Sequence, residues 1–144
     1  MTTVSRNNSL VPDRAHYNAE YFGYGRYFSL AHQVAEAMEV RPRSALEVGV
    51  GSGLAAHAMR TMGVQVTTLD VEPTLAPDIV GSVLAIPCAD ASFDVGLCCQ
   101  VLEHLPFEQF AAAMRELRRV VGGRLVLSLP DVSRRVRLDL DLFR

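Results

Sequence analysis

The stretch SALEVGVGSG, Ser44–Gly53, is followed directly by LAAHAMRTMG and decides how the rest of the chain is interpreted. A short apolar run leads into three alternating glycines, Gly49, Gly51 and Gly53, and helix-forming residues begin at Leu54. This order predicts a strand, a tight turn and a helix. Because the glycines allow a ligand to approach the backbone, and the helix N-terminus offers unpaired N–H groups, we expect a small-ligand site here.

The carboxylate of Glu47 lies inside the same motif. An acid at this position disfavours a bare anion such as phosphate, because the two negative charges repel each other. The expected ligand is therefore cationic or rich in hydroxyl groups.

Composition predicts one domain, residues 1–144, that is large enough to bury a core. The chain is 49% apolar with a formal charge of -2, so it has no overall basic field for nucleic acid. The first residues lack the apolar core of a signal peptide, and the most apolar later stretch is interrupted by proline and aspartate. We expect a soluble cytoplasmic protein without a membrane or nucleic-acid partner.

The three cysteines, Cys88, Cys98 and Cys99, lack the spacing of metal ligands. Two of them are neighbours, and on a strand their side chains would point to opposite faces. We expect reduced, mostly buried thiols, with neither a disulfide nor a metal site.

The N-terminal part, residues 1–43, begins with a polar lead-in to about Pro12. The segment Asp13–Tyr27 then concentrates all four tyrosines of the chain. It is interpreted either as a lid over the site or as an aromatic cover on one edge of the core, and both roles can coexist. From Tyr27 onward apolar residues recur at helical spacing, and this helix is expected to end before Pro42.

A second strand is predicted at Val64–Leu69, ending at Asp70. Its helical connection to the first strand makes the two parallel, so Asp70 is expected beside the glycine turn at the ligand-binding edge. An acid about 20 residues beyond the glycines is well placed to accept hydrogen bonds from ribose hydroxyls.

Three further strands complete the predicted sheet. The third is Asp78–Val80, and the turn Gly81–Val83 after it could present main chain to the flat edge of a base. The fourth is Phe93–Cys99, with Asp94 anchoring loop backbone, and Gln100–Leu105 leaves it at the ligand edge.

The last predicted helix follows Pro106 and is stopped by Gly122–Gly123. Its arginines, Arg115, Arg118 and Arg119, are interpreted as a solvated face rather than as a nucleic-acid patch. Arg124–Pro130 is expected to form the fifth strand, apolar on both faces and thus covered on both sides. The predicted fold class is α/β, a doubly wound, mainly parallel sheet with helices on both faces.

Four motifs in this order resemble the class I S-adenosylmethionine (SAM)-dependent methyltransferases, in particular the small-molecule branch called methyltransferase type 11. The resemblance covers roughly residues 44–130. Its motifs are ALEVGVGSG, with the pattern acid-x-Gly-x-Gly-x-Gly, then VTTLDVEP, IVGSVLAIPCADASFDVGLCCQVLEHLP and ELRRVVGGRLVLSLP.

The resemblance implies a Rossmann-like fold and SAM as cofactor, with S-adenosylhomocysteine (SAH) as product. It implies that Glu47 orders the ammonium group of the methionine portion and that Asp70 binds the ribose. The other cofactor-binding residues it implies are Gly49, Gly51 and Gly53 for methionine and sugar, Val71, Ser82 and Val83 for adenine, and Gln100 beneath the methionine portion. Ser82 is a departure, since many relatives carry an acid there, and this is expected to weaken binding modestly.

The implied reaction is methyl transfer to an unidentified, small-molecule acceptor. Transfer from a sulfonium is an in-line displacement that needs no metal, and a base is required only if the acceptor loses a proton. His104 is a weak candidate for that base, and a structural histidine at a helix start is the favoured interpretation.

The C-terminus departs most from the family, whose complete members have seven strands ending in an antiparallel hairpin. The sequence ends fourteen residues after Pro130, so this hairpin is expected to be missing. The tail, residues 131–144, alternates apolar and charged residues in VRLDLDL; it is interpreted as an extra strand beside strand five, as a frayed end, or as the start of a substrate region. An exposed strand-five edge would favour a homodimer.

Two alternatives to an enzyme of this family stay open at this point. The short C-terminus is compatible with a non-catalytic SAM-binding or interaction module. A nicotinamide oxidoreductase is less favoured, because its fingerprint places the third glycine one residue further on.

Overall fold

The computed structural model describes residues 12–18, 21 and 23–130. Within these residues the helices are α1 (Tyr24–Met38), α2 (Leu54–Thr61) and α3 (Phe107–Val120). The strands are β1 (Ser44–Val48), β2 (Gln65–Asp70), β3 (Ile79–Val80), β4 (Phe93–Cys99) and β5 (Val121–Ser128).

The strands form one sheet in the order β3-β2-β1-β4-β5, and every adjacent pair in the described part is parallel. β1 lies at the centre of the sheet. The chain adds β2 and β3 on one side of it and then β4 and β5 on the other, so the order of strand addition reverses beside β1. In open sheets of this kind ligands bind at such a switch point, beyond the carboxyl ends of the strands. The predicted α/β fold with five strands is confirmed.

The side chains of β1 alternate between two apolar cores, one on each face of the sheet. Leu46 and Val48 pack in the core that includes Leu117 of α3. Ala45 packs in the opposite core with Met59 of α2 and Ala37 of α1. Helices therefore cover both faces of the sheet at β1, as predicted, and Glu47 lies on the face of α1 and α2. The predicted cover on both sides of β5 is incomplete, since Leu127 is 39% exposed.

The prediction that Gly122–Gly123 stops the last helix is wrong. α3 ends at Val120 and passes without a loop into β5, so both glycines lie within the strand. A Cβ atom on Gly123 would collide with the carbonyl oxygen of Asp94, at a register irregularity between β4 and β5. The glycines are therefore needed for close approach of two strands, not for ending a helix.

Several local expectations are confirmed. Gly63 follows α2 with a φ of +87°, the left-handed backbone conformation expected of a glycine that ends a helix. Asp94 accepts hydrogen bonds from the backbone N–H groups of Arg43 and Ser44 at 2.8 and 3.0 Å. The cysteines are free thiols, with Cys98 fully buried.

The interpretation of the three arginines as a solvated face holds for Arg115, which is exposed, but is wrong for Arg119. Arg118 donates to the carbonyl of Val121 at 2.8 Å, as suits a cation at a helix C-terminus. Arg119 instead makes hydrogen bonds and ion pairs to the loop before β4.

The polar lead-in before Pro12 and the tail at residues 131–144, with its predicted extra strand, lie outside the described residues. The homodimer through the β5 edge stays a prediction. Among the helices of the described part, none combines the length and apolar character that crossing a membrane requires.

Candidate functional site

A cavity of about 1340 Å³ opens beyond the carboxyl ends of β1, β2 and β4. All of the predicted site residues except Gly53 line it. They come from four separate places in the sequence: the β1 turn, the end of β2, the turn after β3 and the end of β4. The structure therefore brings the predicted residues together, while their individual roles toward a ligand stay predictions.

The glycine turn has a left-handed backbone at each of its three glycines, with φ values of +82°, +53° and +77°. A side chain at Gly49 is excluded for two reasons: the backbone is left-handed, and a Cβ atom would collide with Val101. Gly53 is the N-cap of α2, and a Cβ there would meet open space. The turn thus has one sterically closed position, Gly49, and one open position, Gly53.

Asp70 is buried and fixes the glycine turn against β2. Its Oδ2 accepts a hydrogen bond from the N–H of Val50 at 2.8 Å, and its Oδ1 accepts from the N–H of Glu72 at 2.9 Å. Each carboxylate oxygen retains a free lone pair for a further donor. The sequence suggested a ligand role for Asp70, but this structural role was not foreseen.

Glu47 is a buried carboxylate, only 6% exposed, in the middle of the sheet. Its Oε2 has no hydrogen-bond partner within the described part of the chain. Burial raises the pKa of Glu47 to about 8, while the Ala56 N–H and Arg60 oppose this shift and Asp70 adds to it. An unsatisfied acid of this kind is costly, so it marks a place for a cationic donor from a ligand.

The loop after β3 forms the opposite end of the cavity. The N–H of Gly81 donates to the Asp70 carbonyl at 2.9 Å, and the Ser82 hydroxyl accepts from the N–H of Leu84 at 3.2 Å. Apolar walls come from Val71, which is exposed, and from the buried Val83. A polar edge between apolar walls suits a flat heterocyclic group.

The end of β4 contributes Gln100, whose φ of +57° is unusual for a residue with a side chain. Its N–H donates to the carbonyl of Ser128 at 2.9 Å, which holds this conformation against β5. His104 ends a short 3-10 turn, Leu102–His104, and its side chain is exposed at the cavity. The interpretation of His104 as a structural histidine at a helix start and its role as a base both stay predictions.

Tyr17, Tyr21 and Arg26 also line the cavity. They belong to the segment Asp13–Tyr27, interpreted from the sequence as a lid or as an aromatic cover without a role for any single residue. The Tyr17 ring lies 3.5 Å from the position that a Cβ on Gly51 would occupy. The rings of Tyr17 and Tyr21 pack edge to face with their centroids 4.9 Å apart. The guanidinium carbon of Arg26 lies 3.9 Å from the centroid of the Tyr21 ring. The concentration of tyrosines at Asp13–Tyr27 was the signal for this wall, but it could not say which of them would reach the site.

The chemistry of Tyr17 follows from its surroundings. Burial raises the pKa of Tyr17 to about 12, and the nearby Tyr21 and Asp70 add to the shift. Its hydroxyl therefore stays protonated at neutral pH and can donate a hydrogen bond to a ligand.

The side of the cavity under α1 is polar but not reactive. Gln33 donates to the hydroxyls of Ser29 and Ser128 at 3.0 and 3.1 Å. Burial raises the pKa of the neighbouring Cys99 thiol, so it is a poor nucleophile. Among the described residues, no group of three His, Cys, Asp or Glu side chains could hold a metal ion.

Comparisons with solved structures find the same fold. The 1,6-didemethyltoxoflavin-N1-methyltransferase of Burkholderia thailandensis, solved with 1,6-didemethyltoxoflavin and SAH, is 17% identical with a TM-score of 0.64, over 78% of this chain and 57% of that one. The magnesium protoporphyrin IX methyltransferase of Synechocystis PCC 6803, solved with SAM, is 17% identical with a TM-score of 0.62, over 72% and 58%. The N-methyltransferase NodS of Bradyrhizobium japonicum WM9, solved with SAH, is 19% identical with a TM-score of 0.59, over 72% and 59%.

At these identities the likeness shows the fold alone, and the chain spans less than two thirds of each of these proteins. A search of curated proteins found no match. A sequence model of the methyltransferase domain matches residues 46–127, which is more than half of the chain and includes most of β1, the glycine turn and most of β5. The chain therefore belongs to the methyltransferase-domain family.

Proposed function

We propose that this chain binds SAM in the cavity and transfers its methyl group to a small molecule. The observation that carries the proposal is the buried, unpartnered Oε2 of Glu47 beside the glycine turn. The ammonium group of a methionine portion would supply the missing donor, directly or through a water molecule. The family match makes this ligand the natural choice for that donor.

The other groups of SAM find chemically matched partners along the cavity. Asp70 keeps lone pairs for the two ribose hydroxyls, because each of its oxygens uses only one for the backbone. Adenine would lie between Val71 and Val83 and meet Ser82 and the main chain beside it. Gln100 would lie beneath the methionine portion, and the glycine turn would lie against the methionine and sugar.

The carboxylate of the methionine portion requires a cation or strong donors. Among the described residues that line the cavity, Arg26 alone carries a permanent positive charge. Its stacking on Tyr21 restrains the guanidinium without neutralising it. We assign Arg26 and the protonated hydroxyl of Tyr17 to this carboxylate.

When bound, the sulfonium supplies an electrophilic methyl group that can pass to a nucleophile in line with the carbon–sulfur bond. The task of the chain is then to bind both partners, align them and exclude water. Tyr17 lines the cavity beside Gly51 of the glycine turn and would exclude water from that side. His104, exposed at the cavity, would accept a proton only from an acceptor that loses one.

We infer a small-molecule acceptor from the fold and from the charge of the chain. Two structures of this fold come from methyltransferases named for small molecules, 1,6-didemethyltoxoflavin and magnesium protoporphyrin IX. The formal charge of -2 gives no support to a nucleic-acid acceptor.

Titration calorimetry with SAM and SAH tests the binding step. We expect saturable binding of both, and Glu47→Gln should weaken it by about tenfold or more through loss of a charge-assisted hydrogen bond. Glu108→Gln is the matched control, because Glu108 is an exposed carboxylate on α3 that does not line the cavity. Absence of binding at millimolar concentration would contradict the proposal.

A screen of small-molecule acceptors with methyl-labelled SAM then separates an enzyme from a non-catalytic module. Labelled product supports methyl transfer. Binding of SAM without turnover across the screen would favour the second candidate, a SAM-binding module.

A further inference from the structure

Arg119 on α3 has a hydrogen-bond partner for each of its five N–H donors. Two of these bonds reach Glu116, from Nε to Oε1 at 2.9 Å and from Nη2 to Oε2 at 2.8 Å. The others reach the Ile86 carbonyl at 2.8 Å, the Cys88 carbonyl at 2.7 Å and Asp90 Oδ1 at 2.8 Å. One side chain thus binds three positions of the loop between β3 and β4.

Glu116 completes the attachment, because its Oε2 accepts a hydrogen bond from the N–H of Ile86 at 3.0 Å. The two backbone groups of Ile86 are therefore both held by the Glu116–Arg119 pair. The Arg119 side chain and the Ile86 N–H lower the pKa of Glu116 to about 2, so the pair is fully charged at neutral pH. A charged pair with this many backbone bonds defines one loop position rather than a range of positions.

The held residue is connected to the cavity by a short stretch of ordered backbone. Ser82 accepts a hydrogen bond at its carbonyl from the N–H of Ala85 at 3.1 Å, just before Ile86. At the other end, Gly81 is bonded to the Asp70 carbonyl of β2 at 2.9 Å. The loop 81–86 is therefore attached to β2 at its start and to α3 at its end.

Burial makes this loop respond as a unit. Val83 and Ile86 are 4% and 3% exposed, and both pack in the core that contains Leu117 of α3. Leu117 lies between Glu116 and Arg119 in the sequence, so α3 contacts the loop through both apolar and charged groups. A shift at Ile86 would move Ser82 and Val83, which line the cavity.

We propose that Glu116 and Arg119 are positioning residues that hold the loop 81–86 where its backbone and Ser82 distinguish adenine from other bases. The pair touches no ligand and acts only through the loop. This inference rests on the proposed binding of SAM, because it assumes that the base lies at this end of the cavity.

The substitution Arg119→Lys tests the geometry of the pair while keeping its charge. Lysine has three donors on one nitrogen and no planar fork, so at least two of the five bonds are lost. We measure dissociation constants for SAH and for S-inosylhomocysteine, in which a keto oxygen replaces the adenine amine, together with the unfolding temperature. The ratio of the two constants reports base discrimination, which a general loss of stability does not change.

Arg124→Lys is the matched control. Arg124 likewise binds a backbone carbonyl and a carboxylate, from its Nη1 to the Glu36 carbonyl at 2.9 Å and to Glu39 Oε2 at 2.6 Å, but these partners lie at the end of α1 and not on the loop 81–86. Its side chain is 36% exposed, against 31% for Arg119. Lysine can keep the bonds that Arg124 makes from a single nitrogen, so Arg124→Lys is expected to lower the unfolding temperature no more than Arg119→Lys does.

We expect Arg119→Lys to weaken SAH binding by about threefold to tenfold and to reduce the preference for SAH over the inosine analogue, with Arg124→Lys leaving both unchanged. Glu116→Gln, which leaves Asp90 as the remaining ionic partner of Arg119, should change the same ratio in the same direction. An unchanged ratio in Glu116→Gln or in folded Arg119→Lys overturns the positioning role. Failure of the wild-type chain to bind SAH would instead overturn the proposed function, so the two failures are distinguishable.

Discussion

The two ends of the cavity are stabilised in opposite ways. At the end formed by β1, the Glu47 carboxylate is buried with one oxygen unpartnered within the described chain, and the turn beside it has the left-handed backbone that glycine adopts readily. At the end formed by the loop after β3, Arg119 has a partner for every donor. The first end leaves a polar group for a ligand to satisfy, whereas the second is ordered by the chain itself.

This difference separates affinity from stability. A buried polar group without a partner lowers the stability of the free protein, and it stabilises the complex only when a ligand binds to it. A satisfied network contributes to the free protein and helps the ligand by preorganisation. Substitutions at the two ends should therefore change different measurements.

The largest effect is expected at the glycine turn, from Gly49→Ala. A left-handed backbone costs about 1–3 kcal/mol with a side chain, and the collision with Val101 adds to this strain. We expect SAH binding to fall below detection and the unfolding midpoint to fall clearly in denaturant titration. Gly53→Ala has the same backbone strain without a collision, so it should have the smaller effect on both. Equal effects of the two variants would show that the contact with Val101 is unimportant.

The next effect is expected from Asp70→Ala, which removes the proposed ribose acceptor and the attachment of Val50. We expect SAH affinity to fall by about 1–3 kcal/mol through lost charge-assisted hydrogen bonds, measured by calorimetry. Asp78→Ala is the control, since Asp78 also accepts a backbone bond, from Thr68 at 2.8 Å, but lies outside the cavity. Unchanged affinity in Asp70→Ala would remove this residue from the site.

Gly49 and Asp70 also show what a sequence can predict. The glycine turn, β2 and Asp70 belong to one strand–helix–strand unit, so local pattern and spacing were sufficient to place them. The role of Gly122–Gly123 was misinterpreted because glycine is needed at Gly123 for a close contact with Asp94, almost thirty positions earlier in the sequence. Spacing along the helix could not reveal that contact.

The same limit applies to the residues that the sequence left without a site role. The partners of Arg119 at Ile86, Cys88 and Asp90 are brought to α3 only by the folded sheet. Tyr17 reaches Gly51 through a segment whose path follows no repeating pattern. Composition identified the aromatic segment, but only three-dimensional structure identifies the residue that meets the turn.

A smaller effect, of opposite sign, is expected on stability from Glu47→Gln. Burial raises the pKa of Glu47 to about 8, so in the window from its ordinary value up to pH 8 the unfolded chain loses this proton before the folded chain does. The stability of the wild type therefore falls as pH rises through this window. We expect Glu47→Gln to be more stable than wild type by on the order of 1–3 kcal/mol at pH 7.5, with the advantage disappearing near pH 4.

Urea titrations of both proteins across this pH range check the prediction. Glu108→Gln serves again as the exposed-carboxylate control and should follow the wild type. A Glu47→Gln variant that is less stable than wild type at every pH would mean that Glu47 is satisfied in the free protein.

We propose that the ammonium group of the cofactor binds the Glu47 carboxylate. The number of protons released on cofactor binding tests this pairing directly. At pH 7 the free protein keeps this proton, since burial raises the pKa of Glu47 to about 8, and pairing with a cation should expel it. Calorimetric titration with SAH in buffers of different ionisation enthalpy measures the proton released. We expect nearly one proton to be released per SAH bound by the wild type and none by Glu47→Gln. Tight binding of SAH to the wild type with no proton released would contradict it.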